Sequence, residues 1–346
     1  MSTRVETLRP EQLAQRRLAG QLLDLAGDGS AAPAVLVLEL DEVIWSPSFV
    51  SETCAILDEL TPVLIGVAAE PLPREAAPVL ERLTTTLAPG GPGRSWVAMG
   101  SVEELLRAVC AHPDAALVLH GLLRATRALP VPDALAAEAA AYSALLAGPE
   151  FGRWLAAAPT RRGGLREDVV RLERDGGTLQ ITLDDPLRRN AFGRRMRDGL
   201  VDALQLAHLD PTVTLVRLVG EGPSFSAGGD LSEFGSAADP LAAYRARLGR
   251  SAAGALHRVA DRTEAVVHGA CVGAGIELPA FAGRIVASPD AWFCLPELAM
   301  GLVPGAGGTV SIPRRIGASR TAWMVLTGAR IDAETARSWG LVDVVG

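Results

Sequence analysis

Two glutamates stand in segments that are otherwise apolar. Glu277 lies in HGACVGAGIELPAFAG, two residues after Gly275, and Glu297 lies in WFCLPELAMGLV. Charged side chains are seldom buried without a partner or a task. Burial penalises the ionised form and raises a carboxyl pKa toward neutrality, where proton transfer is useful. Each residue also has a structural reading. Glu277 could favour the N-terminus of the helix it opens, and Glu297 could pair with Arg314 or Arg315. Two glycine-rich segments, SAGGD at 226–230 and VGAGIE at 272–277, add a second kind of chemistry. Small residues let a ligand approach the backbone closely. Two preorganised N–H groups can then stabilise negative charge developing on an oxygen, with no ionisable residue needed. Taken singly, either segment could be only a strand-to-helix turn.

The remaining polar residues carry less. His268 precedes a glycine turn on a buried strand and reads as a satisfied core histidine. His112 and His120 read as a loop residue and a strand-end residue, while His208 and His257 fall on helix surfaces. The arginines of RATR (124–127) read as a solvated face. Cys54, Cys110, Cys271 and Cys294 are scattered, with no CxxC pair and no His/Cys cluster, so free thiols in a reducing compartment are expected and no metal site is.

The elements that must position these groups follow from pattern. The segment 179–192 reads as an apolar strand running into a turn and then a helix, 215–234 as a strand ending in a Gly/Ser loop, and 265–288 as a strand, a glycine-spaced turn and a buried helix. AWFCLPELAMGLVPGAGGTVSIPRRIG (291–317) repeats the logic. In the first half, leucines at 13, 18, 22, 23 and 25 predict a helix over 9–26. The runs 34–40, 62–68, 95–99 and 115–120 read as buried strands. The segments 48–60, 73–88 and 101–112 read as helices between them, and alanine-rich helices follow over 132–157. That alternation argues for a small α/β layer with largely parallel strands. No catalytic constellation appears there. The Pro/Gly/Arg-rich stretch 159–168 marks a boundary, giving an N-terminal α/β domain over 1–160 and a second domain over 163–346.

Composition sets the outer limits. The 346 residues suffice for two cores. All 33 basic residues are arginine. Residues 1–160 hold 11 Arg against 19 acids, the rest 22 against 21, so a polyanionic ligand suits the second half better. No basic stripe with interleaved aromatics suggests nucleic acid. The N-terminus lacks a signal-peptide core, and no apolar run reaches membrane-spanning length. A cytoplasmic protein with neither nucleic acid nor membrane as partner is expected.

Taken together, Asn190-Ala191 after a strand, SAGGDL at 226–231, HGACVGAGIE at 268–277, LPE at 295–297 and PGAGGT at 304–309 resemble the enoyl-CoA hydratase/isomerase (crotonase) superfamily over about 180 residues, in family order and spacing. The resemblance implies an α/β fold, a crotonase-like ββα spiral core, here with an extra N-terminal α/β domain. It implies Gly229 and Ala274 as the oxyanion-hole donors and Glu277 and Glu297 as the catalytic pair that holds and activates one water. Gly305 would turn an N–H toward that water, or be a plain loop glycine. Arg188 and Arg189 would lie by the nucleotide portion of coenzyme A. No cofactor is implied beyond coenzyme A as part of the substrate, an acyl-CoA thioester.

Both glutamates favour reversible hydration of a 2-enoyl-CoA. Three other reactions keep the same enolate: double-bond isomerisation, C–C cleavage and cofactor-free arylacetyl-CoA dioxygenation. A non-catalytic scaffold subunit is a third class. The sequence ends at Gly346, after WGLVDVVG, where most of the family continues into helices that close the acyl pocket and build a trimer. Residues 1–160, with the helices at 132–157, are therefore expected to pack near the acyl end. A homo-oligomer, trimer or hexamer, is expected as well.

Overall fold

The computed structural model describes residues 4–18, 35–158, 168–237 and 239–346. Its contacts divide the chain into two compact units, 1–127 with 316–327, and 128–315 with 328–346.

The first unit is built on a parallel sheet of order β1-β2-β3-β4, from Val5–Leu8, Val35–Glu39, Val63–Val67 and Thr85–Leu87. Its register runs Val5↔Val35, Val35↔Val63 and Ile65↔Thr85. Strands β2 and β3 are almost continuous runs of Val, Leu and Ile, as a parallel strand covered on both faces requires. Helix α1 (Pro10–Leu18) follows β1, and the rest of the helix expected over 9–26 lies outside the described residues. Helix α2 (Pro47–Glu59) starts on the side chain of Ser46, which accepts from the Phe49 N–H, with Pro47 preset for the first helical position. Ile56, Leu57, Leu36, Leu38 and Leu64 close one core.

Three assignments in this unit differ from expectation. The stretch 73–88 holds a short helix, α3 (Ala77–Leu80), and then strand β4. Thr84, Thr85 and Thr86 are β-branched and pair better in a sheet than in a helix. Residues 95–99 supply only an isolated bridge, Leu87↔Val97. The expected strand at 115–120 lies inside helix α5 (Pro113–Thr126), which follows α4 (Val102–Ala111). Its buried positions 115, 116, 119, 120, 122, 123 and 126 recur at helical spacing, and Pro113 sits at its first turn. The unit is completed from far along the chain by Ile316–Thr327, where the Ser319 Oγ accepts from the Thr86 N–H at 3.3 Å.

The second unit opens with two helices, α6 (Val131–Leu146) and α7 (Pro149–Ala157). The boundary expected at 160–163 is thereby corrected. The alanine-rich helices belong with the second unit, and compact packing changes hands at 127/128. Of the stretch 159–168, all but Asp168 lies outside the described residues. A six-stranded sheet follows, of order β13-β10-β8-β7-β6-β5, and a three-stranded sheet of order β12-β11-β9.

The chain repeats one unit of construction. A strand of the large sheet leads to a short strand of the second sheet and then to a helix. Thus β8 (Thr263–Val267) is followed by β9 (Ala270–Val272) and helix α11 (Ala274–Glu277). Likewise β10 (Arg284–Ala287) is followed by β11 (Trp292–Cys294), a 3₁₀ turn over 297–300 and helix α12 (Gly308–Ile316). Earlier in the chain come the hairpin β5 (Val170–Asp175) and β6 (Thr178–Leu183), helix α8 (Arg194–Leu209) and β7 (Leu215–Gly220). The loop after β7 substitutes bridges for a strand, Ser224↔Gly269 and Ser226↔Cys271, which lay it beside β9. Helices α9 (Pro240–Gly249) and α10 (Ala252–Arg258) link that loop to β8. Apart from the β5–β6 hairpin, the large sheet is parallel, as in Leu218↔Ala265 and Ile285↔Ala265. This is the ββα spiral expected.

After α12 come α13 (Ala318–Thr327), which belongs to the first unit, then β12 (Ile331–Asp332), α14 (Ala333–Trp339) and β13 (Val344–Val345). No helix among the described residues is long and apolar enough to cross a membrane.

Candidate active site

Asn190 pins the first piece of the site. It is fully buried with φ 54°, a left-handed conformation that Asn tolerates better than most residues. Its Oδ1 accepts from the Asp185 N–H, and its Nδ2 donates to the carbonyls of Glu221, Ser224 and Phe225 at 2.9–3.0 Å. The Ser226 Oγ donates back to the Asn190 carbonyl at 2.8 Å. One side chain thus fixes the path of SAGGD, and the family-like "NA" turn is a structural clamp. Gly228, at φ 87°, lies so near β9 that a Cβ would meet the Val272 carbonyl at 2.8 Å.

Gly229 and Ala274 line one cavity of about 1290 Å³ in the second unit, together with Glu277, Glu297 and Gly305. Ala274 is the first residue of α11. Among the described residues, no hydrogen bond runs from the N–H of either Gly229 or Ala274. Tyr142, Phe151, Trp154 and Phe234 contribute an aromatic wall, with the Phe151 and Trp154 rings stacked at 5.7 Å. Helices α6 and α7 supply three of those four rings.

The two glutamates converge on Gly273. A Cβ there would lie 2.5 Å from Glu297 Oε1 and 3.7 Å from Glu277 Oε1, and Gly273 holds φ 50°. Only glycine meets both demands. Glu277 is 2% exposed and Glu297 7%. Glu277 Oε2 accepts from the Ala306 and Gly308 N–H groups at 2.7 and 2.9 Å. Glu297 Oε2 is buried with no hydrogen-bond partner among the described residues. The alternative pairing of Glu297 with arginine is not realised: Arg315 pairs with Asp343, and Arg314 donates to the Val310 and Leu129 carbonyls. Burial pushes both carboxyls up. Glu277 reaches about 7, restrained by its two backbone donors and by Arg247. Glu297 is raised well above the usual range by burial and then by the Glu277 charge. Physically, Glu277 is the better carboxylate and Glu297 the better acid.

Other expected residues fall less centrally. Gly305 lines the cavity, but its carbonyl accepts from Arg247 Nη1 at 2.5 Å, and the helix it was expected to open begins at Gly308. Arg188 is bound to Asp230 at 2.7 Å and to Ser232, while Arg189 is exposed with φ 53°. Neither lines the cavity. His268 is half-buried, and its Nε2 lies 2.7 Å from the Gly222 carbonyl oxygen.

Three residues had escaped the sequence reading. The Arg247 guanidinium lies 3.6 Å over the Tyr142 ring. Burial pushes the Tyr142 hydroxyl up, against the lowering effect of that cation. Glu138, on α6, is a third buried carboxylate. It stands in VPDALAAEAAAYSALL, a carboxylate in an apolar segment, which is the same signal that singled out Glu277 and Glu297.

The family model for enoyl-CoA hydratase/isomerase matches residues 173–346. A 2,3-dehydroadipyl-CoA hydratase of Escherichia coli K12 is 35% identical over 174 residues, which cover 50% of this chain and 68% of that one. The chain belongs to the enoyl-CoA hydratase/isomerase family. A carnitinyl-CoA dehydratase of Salmonella arizonae is 34% identical over 51% of this chain and 68% of its own. A crystal structure of an enoyl-CoA hydratase from Thermoplasma volcanium aligns at 32% identity over 51% of this chain and 71% of that one, with a TM-score of 0.47. Each alignment spans about two thirds of the relative. Membership places the chain among acyl-CoA enzymes of the crotonase type. The residues before 170 fall outside the matched range, α6 and α7 among them.

Proposed function

We propose that the enzyme adds water reversibly to the double bond of a 2-enoyl-CoA thioester. The observation that carries this reading is the convergence of Glu277 and Glu297 on Gly273, in one cavity with Gly229 and Ala274. The N–H groups of Gly229 and Ala274 receive the charge that develops on the thioester oxygen. Glu277, held as carboxylate by Ala306 and Gly308, takes the proton of a water whose oxygen bonds to C3. Glu297, kept protonated by its apolar setting, delivers a proton to C2. The two residues exchange protonation states in one turnover, and the reverse reaction is the dehydration. The two relatives, a hydratase and a dehydratase by name, support this direction of reading.

Coenzyme A enters only as part of the substrate, with no further cofactor, and the assembly we propose is a homo-oligomer. Incubating the pure protein with a panel of CoA thioesters, read by mass spectrometry, tests the reaction. A gain of one water supports hydration. Unchanged mass with a moved double bond, a gain of oxygen, or no reaction with any ester each overturns it.

A further inference from the structure

We infer that Glu138 is a positioning residue for the glutamate pair, acting through the loop 306–309 that holds Glu277. The inference rests on the hydratase reading for its catalytic consequence, but its geometry stands apart from it. Glu138 is 3% exposed, in the middle of α6. Its Oε1 accepts from the Gly307 N–H at 2.7 Å, and its Oε2 from the Thr309 N–H at 2.9 Å and the Thr309 hydroxyl at 2.6 Å. Four successive N–H groups are therefore shared in alternation: 306 and 308 go to Glu277, 307 and 309 to Glu138. The loop is gripped from two sides by two carboxylates, at the N-terminal end of α12, where backbone N–H groups are otherwise unsatisfied.

Both Glu138 oxygens accept from that loop, and the residue acts through it. Its influence travels by two routes. Mechanically, it fixes the N–H groups that orient Glu277, and displacements near 1 Å in a catalytic group can cost about 10²-fold in rate. Electrostatically, it is a third carboxyl beside two others. Glu277 and Glu297 couple with it directly, and the other titratable and charged groups lining the same cavity are Tyr142 a turn away on α6, Arg194, Arg197, Asp230, Glu233, Asp239, Arg247, Arg250, His257 and Arg258. Like charges in one dry site cannot all ionise together. Burial and the Glu277 charge push Glu138 itself up to about 8, against the pull of its three donors. Glu138 is also among the groups that raise Glu297. A residue before the family-matched range thus tunes the proton held by the pair inside it.

The test pairs kinetics with direct titration of the carboxyls. In the full chain, Glu138→Gln should lower kcat about 10–10²-fold with little change in KM, and move the alkaline limb of the kcat profile, set by the Glu297 acid, to lower pH. Carbon-13 NMR of glutamate side chains should show the Glu297 resonance titrating at lower pH in the variant, whatever reaction the wild type catalyses. If Glu138→Gln is insoluble, Thr309→Val serves, since it removes one donor and leaves both backbone N–H groups; the expected shift is smaller and in the same direction. Unmoved carboxyl titrations overturn the inference even if turnover falls, because a cap that only supports the helix would lower stability and turnover without moving them. Moved titrations in a protein that hydrates no thioester would uphold the electrostatic coupling and overturn the hydratase reading alone.

Discussion

Both units bury titratable groups beside a cavity, and they treat charge in opposite ways. In the first unit a pocket of about 340 Å³ is lined by Asp58, Glu81, Arg82, Arg124, Arg127 and His120. There Arg82 and Arg124 meet Asp58, Arg127 meets Glu81, and Arg124 also closes the carbonyls of Leu57, Asp58 and Leu60 at the end of α2. His120 Nδ1 is bound to the Thr84 hydroxyl, and burial lowers its pKa to about 4, so it stays neutral. In the second unit three carboxyls, Glu138, Glu277 and Glu297, line one cavity, and the Arg247 guanidinium acts on Glu277. Matched charges cement a fold. Unmatched like charges store a proton that chemistry can use.

The largest expected effect breaks this contrast at its centre. Glu277→Gln and Glu297→Gln should each lower kcat about 10²–10⁴-fold while CoA-ester affinity, measured by calorimetry, changes little. Near-native turnover in the Glu277 variant would leave Glu297 as a lone base and favour an isomerase. Gly273→Ala should come next, at about 10²-fold in kcat, because the new methyl group meets Glu297 Oε1 and the residue must hold φ 50°. Wild-type turnover there would mean that Glu297 need not stay where it lies.

These predictions concern residues that could be seen in the sequence, and the reason is physical. SAGGD, VGAGIE and LPE are local: a tight turn must be built from small residues, and a buried carboxyl is conspicuous in a short apolar window. What could not be read was long-range. Glu138 meets Gly307 across 169 positions, and no spacing rule links them. Residues 316–327 belong to the first unit although most of the second unit precedes them in the sequence, so a boundary drawn from composition at 159–168 missed a discontinuous unit. The run 115–120 failed for a different reason, since a short buried apolar stretch looks alike as strand or helix until its flanks are weighed.

A smaller effect tests the other side of the contrast. His120→Phe should leave thioester turnover unchanged. It should cost about 1–3 kcal/mol of stability by urea unfolding, because the Thr84 hydroxyl loses a buried partner. The same hydroxyl accepts from the Leu64 N–H, which ties the start of β4 to β3. A large loss of turnover with stability intact would make the first-unit pocket functional.

The smallest expected effect is on stability against pH, and its sign separates stored protons from matched charges. Burial raises Glu138, Glu277 and Glu297 above the ordinary carboxylate value of 4.5. A group raised in the folded state keeps its proton while the unfolded chain has already lost it, so folding is favoured most below the unfolded value. That contribution fades as pH climbs from about 4.5 through the folded values of about 7 and 8. His120 runs the opposite way. Its folded value of about 4 lies below the ordinary 6.5, so it costs stability under acid conditions and ceases to do so above about 6.5. Melting temperature should therefore fall between about pH 4.5 and 8, because three raised glutamates outweigh one lowered histidine, and the fall should be shallower below about pH 6.5, where His120 opposes it. Glu297→Gln should flatten the fall, and His120→Phe should steepen it below about pH 6.5. If Glu297→Gln left the fall unchanged, Glu297 would not be holding a proton in the folded enzyme, and its role as the acid would have to pass to Glu277.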